Sequence, residues 1–103
     1  MKENRASSRR RIKEWAKIIH DDGQRILNCT VTDVSATGAR LIVGTADLPR
    51  TFYLYRRIDK SLREASIVRW SFQSVGVRLA PPIDLKSERA RKLLAGLELQ
   101  GRI

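Results

Sequence analysis

A chain of 103 residues supports one hydrophobic core but not two. Its formal net charge of +10 calls for an anionic partner, and no run approaches the roughly 18 to 20 apolar residues of a membrane-spanning helix. The single cysteine excludes an internal disulfide, and the polar start Met1-Lys2-Glu3-Asn4-Arg5 does not resemble a secretory leader, so a soluble protein of a reducing cytoplasm is expected.

The charge is concentrated at the start. In residues 1–13, Lys2, Arg5, Arg9, Arg10, Arg11 and Lys13 face only Glu3, and no apolar periodicity accompanies them. This segment reads as a mobile basic arm. Trp15 to Ile19 reads as a first strand, closed by the hairpin signal Asp21-Asp22-Gly23. From Arg25 to Thr32 the chain alternates, with Leu27, Cys29 and Val31 on one face and Asn28, Thr30 and Thr32 on the other. That places Cys29 as a small buried hydrophobe. Asp33 to Gly38 interrupts the alternation with turn chemistry, and Ala39 to Val43 resumes it up to Gly44.

Phe52 to Tyr55 suits a half-buried strand. Arg63 to Trp70 follows, with Ala65 and Ile67 on one side and Ser66, Val68 and Trp70 on the other. Ser71 to Ser74 turns the chain into Val75 to Leu79. Six short strands with tight turns predict a mainly β fold, a six-stranded antiparallel β-barrel that leaves no open sheet edge. Trp15 and Trp70 are expected to belong to its wall. After Pro81-Pro82, Asp84 or Ser87 can cap a C-terminal α-helix over 84–99, whose Ala90, Leu93, Leu94 and Leu97 form one stripe. One domain results: arm 1–13, barrel 14–80, helix 84–99.

Two short patterns carry the functional reading. Arg5-Ala-Ser-Ser-Arg9 places two guanidinium forks about 13 Å apart in an extended segment, and such forks bind phosphate oxygens or the O6 and N7 edge of guanine. In a chain with fifteen arginines this spacing means little alone. Asp33-Val-Ser35-Ala-Thr-Gly38 is rarer. Its carboxylate can accept from the N1 and N2 donors of guanine, while Ser35 and a backbone N–H near Gly38 bind phosphate or base. The same residues also suit a plain turn, with Asp and Ser as caps and Gly supplying positive φ.

In this order and spacing the two patterns resemble the signature of the PilZ domain family, Arg-x-x-x-Arg on an N-terminal arm followed by Asp/Asn-x-Ser-x-x-Gly on a barrel. The resemblance extends through Gly38-Ala-Arg-Leu-Ile-Val43, Ile67-Val-Arg-Trp70 and Val75-Gly-Val-Arg-Leu79, covering nearly the whole chain. It implies a non-enzymatic receptor for the bacterial second messenger cyclic di-GMP, bound by Arg5, Arg9, Asp33, Ser35 and Gly38. Arg10 and Arg11 are secondary candidates because they adjoin the arginine pair. The implied mechanism orders the arm around the ligand and passes the signal to a protein partner.

Other chemistry is poorly supplied. His20 stands beside Asp21 and Asp22 and reads as a surface turn residue. No metal site, catalytic residue, organic cofactor or Walker loop is expected. Two alternatives use the same fold: a basic barrel that binds nucleic acid, which would stack bases on Phe52, Tyr53 and Tyr55, and a non-binding protein adaptor. The concentration of basic residues away from those aromatics disfavours nucleic acid.

Overall fold

A computed structural model describes residues 10–44 and 47–99. Its strands are β1 (Arg10–Ile19), β2 (Ile26–Val34), β3 (Gly38–Ile42), β4 (Thr51–Arg56), β5 (Ser61–Ser71) and β6 (Ser74–Leu79), followed by one helix, α1 (Glu88–Leu99). The strands close into an antiparallel barrel in the order β1-β2-β3-β6-β5-β4. The expected mainly β architecture with a C-terminal helix is therefore the observed one.

Alternation builds the wall. Ala16 and Ile18 of β1, Cys29 and Val31 of β2, Leu41 of β3, Phe52 and Leu54 of β4, and Val75 and Val77 of β6 fill the barrel. The residues between them on β4, Tyr53 and Tyr55, are also buried, in a second cluster with Ile19, Leu62, Ala90, Leu93 and Leu97. The helix lies against the outer side of β4 and its neighbours, so β4 is buried on both faces. This is the packing the helical stripe required, because its apolar face must leave water.

Ser87 caps the helix by accepting the Ala90 N–H at 3.2 Å, whereas Asp84 accepts the Lys86 N–H at 2.9 Å in the preceding turn. That division of roles starts the helix at Glu88 rather than at residue 84. Gly96 lies inside the helix. A Cβ there would stand 2.5 Å from the Gly23 carbonyl oxygen, so the helix crosses the β1–β2 turn too closely for any side chain. Gly23 itself has φ 72 and serves the turn by its conformational freedom.

One expectation changes and two are sharpened. The first strand begins at Arg10, not Trp15, because Arg10 and Arg11 pair with Val34 and Asp33 of β2. Ile12, partly buried against the core, is the one apolar mark of that extension. Secondly, both tryptophans belong to wall strands as expected, but on the solvent side: Trp15 is 74% exposed and Trp70 45%. Trp15 lies on the outward side, opposite Thr30, while a bulge between Ile67 and Arg69 shifts the β5 alternation and sets Trp70 opposite the buried Val75. Finally, His20 is only partly exposed, and its Nδ1–H donates to the Arg25 carbonyl at 3.1 Å across the turn.

A charged cluster joins β1 to the end of β4. Glu14 and Arg56, on neighbouring strands, form a two-pronged ion pair, with the second prong from Arg56 Nη2 to Glu14 Oε1 at 3.0 Å. Asp59 adds a contact to Arg56 Nη1 at 3.3 Å. Hydrogen bonding to Glu14 is the main reason the Arg56 guanidinium holds its proton more tightly than usual.

Candidate functional site

Register across the wall assembles the site. Arg11 of β1 lies opposite Asp33 of β2, Asp33 opposite Arg40 of β3, Arg40 opposite Gly76 of β6, and Gly76 opposite Arg69 of β5. The row faces outward, since Val34, Ala39, Leu41, Val75 and Val77 beside it point into the core. It alternates cation, carboxylate and cation, then leaves a gap without a side chain at Gly76 before the last cation.

Two open hollows flank this row. One, of about 500 Å³, is lined by Arg11, Asp33, Arg40, Ile42 and Phe72. The other, of about 410 Å³, is lined by Ser35, Gly38, Arg40, Arg69, Ser71 and Gly76. Both fall in the size range of small-molecule sites, and Arg40 borders both. The larger cleft of about 850 Å³, between the β1–β2 turn and the helix, contains none of the sequence candidates.

Asp33 is the acceptor of the first hollow. It remains in β2 rather than in the turn, with 13% of its side chain exposed, and Arg40 Nη1 stands 3.9 Å from its Oδ2. The Thr32 hydroxyl donates to it only at 3.4 Å, so among the described residues a carboxylate with about four acceptor positions has few of them taken.

The Ser35–Thr37 turn is fastened on three sides. Ser35 N–H donates to the Gly38 carbonyl at 2.9 Å, and Leu79 N–H donates to the Thr37 carbonyl at 2.8 Å. Arg63 then bridges two segments: its Nη2 donates to the Ala36 carbonyl at 2.7 Å and its Nε to the Ala80 carbonyl at 2.6 Å. Burial, and secondarily the charge of Arg56, hold the Arg63 guanidinium below the usual arginine range. Its side chain fixes the turn that carries Ser35, a role no local pattern announces.

Gly38 departs from the expected reason for a glycine. Among the described residues Gly23 is the only glycine with positive φ, while Gly38 opens β3 with a neighbouring backbone pressed against it. A Cβ there would lie 3.0 Å from the Val77 carbonyl oxygen. Close approach of β6, not turn conformation, makes a larger residue tight here, because the Val77 carbonyl would have to give by a few tenths of an ångström.

The structure thus brings together Asp33, Ser35, Gly38 and Arg11, and adds Arg40, Arg69 and Phe72. Arg5 and Arg9 lie outside the described residues, and Arg10 precedes Arg11 at the start of β1. Among the described residues no cluster of three metal-ligating side chains occurs, and no helix is long and apolar enough to cross a membrane. No protein-family model and no curated protein sequence matches the chain.

Proposed function

We propose that the protein is a receptor of the PilZ type for cyclic di-GMP, without enzymatic activity. The reading rests chiefly on one observation: β1 pairs with β2 through Arg10–Val34 and Arg11–Asp33, so the basic segment enters the barrel wall beside Asp33, Ser35 and Gly38. Arg9 is the residue before β1, and Arg5 lies within about 17 Å of Arg10 along an extended chain. Both guanidinium groups can therefore reach a dinucleotide seated in the hollows along Asp33 and Arg40.

In this reading Asp33 accepts from guanine N–H donors, Ser35 donates to phosphate, and Arg5 and Arg9 close over the ligand. Clustered cations repel one another until the phosphates neutralise them, so binding orders the arm against the wall. The reordered surface then engages a protein partner in the bacterial cytoplasm. No covalent step and no organic or metal cofactor enters this scheme.

Calorimetric titration of cyclic di-GMP into the full chain tests the proposal, with GTP and mixed-sequence DNA as controls. Arg5→Ala and Arg9→Ala should each lose about 1.5–3 kcal/mol, tenfold or more in affinity. Equal affinity in the double variant would sink it. Steeply salt-dependent DNA binding without any response to cyclic di-GMP would favour the nucleic-acid alternative.

A further inference from the structure

Phe72 is 89% exposed and belongs to neither hydrophobic cluster, while the other phenylalanine, Phe52, is 1% exposed in the core. An aromatic ring left in water contributes nothing to the fold through burial. Its backbone is nevertheless held firmly. Ser71 pairs with Ser74 to close the β5–β6 hairpin, and the Val43 N–H donates to the Gln73 carbonyl at 3.2 Å, tying the hairpin tip to the end of β3. Gln73 has φ 64, a left-handed conformation that a side-chain-bearing residue adopts at some cost. The chain thus accepts local strain in the turn that presents this ring.

The ring lines the same hollow as Arg11, Asp33, Arg40 and Ile42. An aromatic face, an acceptor carboxylate and flanking guanidinium groups are the elements that hold a purine: one stacks on its π-face, one accepts from its N–H edge, and the others meet its charge or its O6 and N7 atoms. We propose that Phe72 is a stacking wall for a guanine base in this hollow and a determinant of the site's preference for purines. The inference rests on the cyclic di-GMP reading and assigns to it a residue outside both sequence patterns.

The experiment compares cyclic di-GMP affinity of the full-length wild type, Phe72→Ala and Phe72→Tyr by calorimetry, with thermal melting of each. Because Phe72 is so exposed, melting should not shift. Phe72→Ala should weaken binding roughly 10- to 100-fold, and Phe72→Tyr, which keeps the stacking face, should restore wild-type affinity within about twofold. Phe72→Ala binding as tightly as a binding wild type overturns the stacking role alone and leaves the receptor reading intact. Loss of affinity in Phe72→Tyr equal to that in Phe72→Ala also overturns it. A wild type that does not bind cyclic di-GMP overturns the receptor reading, and this inference with it.

Discussion

Cys29 sits on the inner side of β2, opposite Ala16 of β1, where burial pushes its thiol up to about 12. The thiol therefore stays protonated through the neutral range, and thiol-directed reagents at pH 8 should react with it only as fast as the barrel opens. Full reactivity in denaturant, with strong protection without it, is the expected result. The sign of the pH dependence follows. A pKa raised from 9.0 favours the protonated form in the folded state, so this contribution is complete below pH 9 and lost as pH rises towards 12. Denaturant midpoints measured across that window should fall less steeply for Cys29→Ala than for the wild type. Cys29 was legible from its place in an alternating run, as were Asp33 and Ser35 from their spacing. Arg40, Arg63 and Phe72 were not: each acquires its role from a strand distant in sequence, and no local pattern records cross-strand register.

The helix crosses the β1–β2 turn at close range. Alanine at position 96 would ordinarily strengthen a helix by about 1 kcal/mol. Here the new methyl would stand 2.5 Å from the Gly23 carbonyl oxygen and 3.3 Å from Ile26 Cδ1. Backbone cannot yield as a flexible side chain does, so overpacking at about 1–3 kcal/mol wins. Gly96→Ala should lower the urea midpoint of the full chain, and a raised midpoint would contradict the close crossing. The helical stripe itself was plain in Ala90, Leu93, Leu94 and Leu97, whereas the need for glycine at position 96 was not, because its partner Gly23 lies in another turn. The start of β1 was hidden differently. Arg11 to Lys13 alternate between exposed and half-buried like a strand, but charge on both sides of Ile12 obscured the period. The β5 bulge likewise reassigns Trp70 without leaving any mark in composition.

For the whole molecule, closure removes sheet edges and makes each strand depend on both neighbours. Six strands could be counted from turn signals, whereas their order could not, since β3 pairs with β6 and β1 with β4 only after a crossing connection. The Glu14–Arg56 pair, largely buried, spans the β1–β4 seam that completes the ring. Removing Glu14 leaves the Arg56 guanidinium, among the described residues, with Asp59 alone beside it. Glu14→Gln should therefore cost about 3 kcal/mol of unfolding free energy, the low end for a broken buried pair. A Glu14→Leu, Arg56→Leu double variant should recover much of that loss, because the cost lies in the uncompensated charge. Equal midpoints for wild type and Glu14→Gln in chemical denaturation would count against this account of the seam.

The ring order also sets where attachments can be made. In the sequence β1-β2-β3-β6-β5-β4, the strand facing β4 across the barrel is β3. The helix rests on the β4 side, and the two hollows open on the β3 side. A fluorophore or surface tether fixed to an exposed helix position such as Arg91 would project away from the hollows and leave them open to solution. The same group placed ahead of Arg10 would join the segment that contains Arg5 and Arg9. For a biosensor built on this barrel, the helix is the handle and the amino-terminal segment should be left unmodified.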